Sequence, residues 1–259
     1  MRDIKPQVYK DPRPAEYFAP FHERARTHQA DWVYDLARTL VTPPSLMLYR
    51  ARPIGTENVP RIGPVMLAPN HFSQWDHFFC GVFLRRKVRF MAKSQLFSNP
   101  VIEFIFRHGG AFPVRRGHHD EEAFTTARII LERGGCLLMY PEGGRSRTGQ
   151  LGEPRPGIGR IALETGVPVV PVAIHGSAAV RRWRRLRFPR VTVQYGEPMR
   201  FDVVPTPSRD QQLQVARQVF ERVRGMYEAL ELRGRRGVAA ALREGIEART
   251  EHRVPARQA

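Results

Sequence analysis

Six short apolar runs, set apart by spacers long enough to hold a helix, constrain this chain more than any other feature. They fall at 64–68, 88–92, 109–114, 135–140, 168–174 and 190–195. Runs this short and this continuous read as strands buried on both faces, because a half-exposed strand would alternate apolar with polar. Helical spacing between them predicts helices at 77–86, 100–107, 120–133, 156–165 and 208–230. Strand and helix in alternation give an α/β fold, a mostly parallel sheet flanked by helices. A chain of 259 residues can bury one such core. The α/β domain is expected over 53–232, with an arm and amphipathic segment at 1–52 and a basic tail at 233–259.

Residues 1–29 are polar and proline-containing, as in an arm wrapped on a surface or partly disordered. Trp32, Val33, Leu36, Leu40 and Val41 then recur at helical spacing until Pro43-Pro44, where a break is expected before Leu46-Met47-Leu48-Tyr49. This helix either packs on the core or lies in a membrane interface, with Arg38, Arg50 and Arg52 near the lipid head groups. Arg52 to Pro64 reads as a Gly/Pro-rich connector. No apolar run approaches the roughly 20 residues that span a bilayer, and no signal peptide is expected at the polar N-terminus.

The net charge of +17 points to a polyanionic partner. Lys occurs only at 5, 10, 87 and 93, so Arg supplies most of it, and the guanidinium fork suits phosphate in a lipid, a nucleotide or a nucleic acid. The run Arg181 to Arg187, with Trp183 among its arginines, is the segment best suited to nucleic acid. No nucleic-acid motif accompanies it, so no such partner is expected. Cys80 and Cys136 lack metal-ligand spacing and read as small buried residues of a reduced, intracellular protein.

Four of the predicted strands end in loops that can carry chemistry. Asn70-His-Phe-Ser-Gln-Trp-Asp76 follows the first, in the place where open α/β sheets put their sites. An imidazole oriented by a carboxylate can take a proton from an alcohol as it attacks an acyl carbon. His71 and Asp76 would point about 140° apart on a straight helix, so they can meet only where the chain turns. The plainer reading is a surface His and a helix N-cap. Gly109 to Gly117 is a strand ending in Arg115-Arg116, either a solvated pair or a phosphate clamp. His118 and His119 lack a third metal ligand. Tyr140-Pro-Glu-Gly-Gly-Arg-Ser-Arg147 delivers a carboxylate, two glycines and two arginines, in the manner of an anion-binding nest or a mere turn. It has neither P-loop nor dinucleotide order. In Val167 to Ile174, Pro171 cannot donate to a ladder, so this strand is expected at an edge or beside a bulge. It serves as support or lines an acyl-chain pocket.

Taken in order over residues 50–200, these blocks resemble the glycerolipid acyltransferase family, that of bacterial 1-acyl-sn-glycerol-3-phosphate acyltransferases. N-H-x-x-x-x-D matches Asn70, His71 and Asp76. Gly110 to Gly117, Tyr140 to Ser146 (usually F-P-E-G-T-R-S) and Val167 to Val172 match the other three blocks. The resemblance implies a glycerol-phosphate acyltransferase-like fold and acyl transfer from acyl-CoA or acyl-carrier protein to a hydroxyl of lysophosphatidic acid, another lysophospholipid or a glycolipid. His71 would be the general base and Asp76 would orient it. Asn70, Arg115, Arg116, Glu142, Gly143, Gly144, Arg145, Ser146 and Pro171 would form the substrate site. No metal or prosthetic group is implied, since the thioester is already activated. An anionic membrane surface at the inner face of the cell membrane would be the partner. Gly144 replaces the usual Thr, and Pro113-Val114 precedes the Arg pair where many members carry an acidic residue.

Overall fold

The computed structural model describes residues 10–146, 148–180 and 188–251. Arg147 and the basic run 181–187 therefore lie outside the described residues.

Seven strands form one sheet: β1 (Arg52–Ile54), β2 (Val65–Pro69), β3 (Val88–Lys93), β4 (Ala111–Val114), β5 (Cys136–Leu138), β6 (Val169–His175) and β7 (Thr192–Tyr195), in the order β1-β7-β6-β2-β5-β3-β4. Every neighbouring pair is parallel except β6 with β7. The helices are α1 (Ala19–Thr27), α2 (Trp32–Met47), α3 (Asp76–Val82), α4 (Pro100–His108), α5 (Glu121–Glu132), α6 (Gly157–Thr165) and α7 (Arg209–Glu251). The expected α/β architecture is the observed one.

Central strand β2 shows how the pattern becomes a core. All five of its residues are buried, and successive side chains alternate between the two faces. Val65 and Leu67 join α3 residues Phe79 and Cys80 on one side. Met66 and Ala68 join Ile130 of α5, Ile161 of α6 and Val219 of α7 on the other. At α6 the helix packing is close: a Cβ on Gly159 would sit 1.9 Å from the Gln212 carbonyl of α7. From β2 the chain crosses to α3 and β3 on one side. From neighbouring β5 it crosses to α6 and β6 on the other. The crevice at their carboxyl ends is thus the topological switch point of the sheet.

Several expectations change. Helix α2 does not break at Pro43-Pro44 but runs on to Met47. The two prolines deprive only the carbonyls of Thr39 and Leu40 of helical donors, in an exposed stretch where water can replace them. Within the arm, α1 is ordered against the domain by buried Ala25 and by His22, which bonds Thr126 of α5 at 3.0 Å. Within the connector, Arg52–Ile54 forms β1, paired with β7. Helix α7 runs across 232–233, with one non-helical residue at Gly234, and Val238 beyond it packs with Met226 and Leu230. The side chain of Arg235 donates to Thr192 and to the carbonyls of Arg50 and Val191.

Pro171 lies in an interior strand, not at an edge. Its missing donor falls where the β7 ladder slips. Val172 faces Tyr195, yet Val169 bridges to Met199, so one extra residue stands on the β7 side. The bulge, not an edge, accommodates the proline.

Candidate active site

The chain turns sharply between the end of β2 and the start of α3, and the carboxylate of Asp76 organises that turn. Its Oδ2 accepts the backbone N–H groups of Phe72 and Ser73, each at 2.7 Å, and His71 Nδ1 at 2.9 Å. Asp76 is fully buried. The same oxygen that accepts two amide N–H groups faces Nδ1 as an acceptor, which assigns the His71 proton to Nδ1 and leaves the Nε2 lone pair as the base. The five-residue spacing that forbids contact on a helix is bridged because Phe72 to Trp75 are not helical.

His71 is held from a second loop as well. Its backbone N–H donates to Glu142 Oε1 at 3.0 Å, and its carbonyl accepts the N–H of Ser146 at 2.8 Å. The Tyr140 ring stacks on the imidazole, with centroids 3.7 Å apart and planes 15° apart. Burial lowers the His71 pKa, Asp76 raises it, and the charges of Arg145 and Arg116 lower it again; the net direction is down. The imidazole is therefore neutral near pH 7, as a general base requires.

Three arginines gather beside this pair. The Arg116 pKa is pushed down by burial and by the neighbouring charges of Arg155 and Arg145. Arg116 and Arg145 act on His71 as well, so positive charge is concentrated beside the imidazole. Of the adjacent pair, Arg116 is the one that acts on His71. Arg115 is anchored by its backbone N–H to Asp120 Oδ2 at 2.6 Å. Arg155 was not foreseen. It lies between two prolines just before α6, and its N–H bonds the Pro141 carbonyl at 2.8 Å. It packs over Gly143, whose φ of +66° and whose 2.7 Å from a would-be Cβ to Arg155 Cδ both require glycine. A lone Arg soon after a Gly-rich loop is the signal that could have found it.

Other expected substrate residues prove to hold the scaffold. Asn70 is fully buried and exchanges two hydrogen bonds with Ile174, at 3.1 and 2.7 Å, tying β2 to β6. Glu142 spends one oxygen on His71 and the other on Gly152 N–H at 2.8 Å, and its charge opposes phosphate rather than binding it. In the expected nest, Gly143 N–H is committed to the Tyr140 carbonyl and Ser146 N–H to His71. Gly144 is buried in the same turn. Pro171 packs beneath α7, beside Gly196 and Met226. Two of the loop amides are thus committed within the scaffold, and the positive charge near His71 comes from the guanidinium groups.

An apolar slot lies between α2, α3, α4 and β3. Tyr34, Phe78, Phe90, Ile105 and Phe106 line it, and it reaches His77, next to Asp76, and Leu138. On the same side Trp32, Leu40 and Met47 of α2 and Val101, Phe104 and Ile105 of α4 are exposed to solvent. No helix among the described residues is long and apolar enough to cross a membrane.

Comparison with known proteins places these features together. A family model described as Acyltransferase matches residues 50–175. The chloroplastic 1-acyl-sn-glycerol-3-phosphate acyltransferase BAT2 of Brassica napus is 31% identical over 129 residues, 49% of this chain and 37% of the relative. The 1-acyl-sn-glycerol-3-phosphate acyltransferase of Bacillus subtilis is 25% identical over 177 residues, 68% of this chain and 87% of the relative. The chain spans only 37% to 45% of the length of its plant relatives from Brassica napus, Arabidopsis thaliana and Cocos nucifera. In fold, it resembles the crystal structure of the 1-acyl-sn-glycerophosphate acyltransferase PlsC from Thermotoga maritima. The TM-score is 0.57 at 23% identity, over 84% of this chain and 90% of that one.

Proposed function

Residues 50–175 of this chain belong to the acyltransferase family, and from that premise we propose acyl transfer from an acyl thioester to the hydroxyl of lysophosphatidic acid or a related lysophospholipid. The donor is acyl-CoA or acyl-carrier protein, and the product with lysophosphatidic acid is phosphatidic acid. His71 Nε2 takes the hydroxyl proton as the oxygen attacks the thioester carbonyl carbon. The tetrahedral intermediate then expels the thiolate, which recovers the proton from the imidazolium. Asp76 holds the tautomer and balances the transient positive charge. The thioester is already activated, so the reaction needs no metal or prosthetic group of its own.

One observation carries this reading: the buried, hydrogen-bonded His71–Asp76 pair stands beside Arg116 and Arg145, whose charges act on the imidazole, with Arg155 next to Arg116. Arg116, Arg145 and Arg155 bind the acceptor phosphate, which sets its free hydroxyl near the base. The slot takes the acyl chain.

The exposed apolar residues of α2 and α4, with the +17 charge, support peripheral attachment to an anionic membrane at the inner face of the cell membrane. Purified protein given acyl-CoA and lysophosphatidic acid should release thiol and form phosphatidic acid; no turnover on any lysophospholipid would refute the assignment. Leu40→Glu together with Phe104→Glu should weaken sedimentation with anionic vesicles several-fold. Unchanged binding would remove these helices from the interface.

A further inference from the structure

The third block departs from its usual form at its first residue, where Tyr140 stands in place of Phe. Its ring lies nearly parallel to the His71 imidazole at 3.7 Å. Its hydroxyl is buried and has no hydrogen-bond partner among the described residues. A buried hydroxyl without a partner costs stability rather than adding to it, so the ring is the part of this side chain with a defined contact on His71.

When His71 takes the acceptor proton it becomes an imidazolium. Asp76 favours that charge along one ring edge, through Nδ1. Arg116 from the loop after β4 and Arg145 from the loop after β5 oppose it, and His77 of α3 stands close enough to be affected in turn. Glu142 meets only the backbone N–H. Among the described residues the Tyr140 ring stacks on the imidazole, and the negative π face of an aromatic ring favours a cation held over it.

We propose that Tyr140 is a positioning residue for His71: its stacked ring fixes the imidazole plane and stabilises the imidazolium formed in the transition state. This rests on His71 being the base. The two ideas separate in one experiment, because an inactive wild type defeats the base whereas only the variants test the ring.

The experiment compares Tyr140→Phe, Tyr140→Leu and Tyr140→Met by thiol release, with acyl-CoA and lysophosphatidic acid varied between pH 5 and 9. Tyr140→Phe keeps the ring and should keep wild-type kcat and pH profile. The two aliphatic variants should lose about tenfold in kcat with KM for both substrates unchanged. Their acid limb should move down by about half a pH unit, since the charged imidazole loses its π support. Met fills the space with a flexible chain, so it keeps the test available where Leu folds poorly. Wild-type kcat with an unmoved limb in either aliphatic variant would overturn the proposal. So would a Tyr140→Phe loss as large as theirs, which would assign the effect to the hydroxyl.

Discussion

The loop after β2 and the loop after β5 leave adjacent parallel strands at the same end of the sheet, yet they do different work. Asn70 to Asp76 presents a reactive side chain and folds its own carboxylate back onto it. Tyr140 to Ser146 turns most of its residues inward: Glu142 and Ser146 clamp the two backbone polar groups of His71, and Tyr140 covers its ring, while Arg145 adds positive charge near the imidazole. Matching by residue type reads both as places where substrate is touched. Geometry reads one as the reagent and the other as the vice that holds it, and the proposed phosphate contacts fall to Arg116, Arg145 and Arg155.

That division can be broken most sharply at the reagent. His71→Ala removes the base and should lower kcat by about 10²–10⁴-fold in a thiol-release assay. Equal release by wild type and variant would move the chemistry elsewhere. The clamp comes next. Glu142→Ala leaves two amide donors without their acceptor at the base of the site, and kcat should fall about a hundredfold with KM for the phosphate acceptor unchanged. If Glu142 touched substrate instead, the loss would appear in KM with kcat preserved. Arg155→Ala should show that opposite pattern: acceptor KM rises about tenfold, kcat changes little, and the defect grows less visible in high salt as the wild type weakens too. A kcat defect alone would return Arg155 to a structural role beside Gly143.

The smallest effect lies away from both loops. Burial lowers the pKa of His22 to about 4, well below its value of 6.5 in an unfolded chain. Between those two values the unfolded state binds the extra proton, so its contribution to stability is present above pH 6.5 and is lost as pH falls towards 4. His22→Gln should flatten the fall of Tm over that interval while leaving acyl transfer at neutral pH intact. An identical Tm profile would show that His22 is not among the groups that drive acid unfolding. Acyl transfer should show an acid limb of its own, displaced below the ordinary imidazole range because burial lowers the His71 pKa.

Much of this was legible along the chain. The apolar runs predict β2 to β7 closely because buried strands must be apolar on both faces, and that requirement is local. β1 was missed because Arg52-Pro53-Ile54 carries no such signature; it is a strand only because β7 lies beside it. Pro43-Pro44 misled for the same kind of reason, since the carbonyls they orphan are exposed and water can serve them.

By itself, then, the sequence determined the α/β fold and the His71–Asp76 pair, because hydrophobic periodicity and a short-range turn are properties of neighbouring residues. Tertiary structure alone decided what the other motif residues do. Asn70 meets Ile174 and Glu142 meets His71 only after β2, β5 and β6 are laid side by side, and Arg155 stands with Arg116 only once β4 has joined the same sheet. Whether a carboxylate or an amide touches substrate or holds the frame depends on which partner satisfies its hydrogen bonds, and those partners lie 71 and 104 residues away.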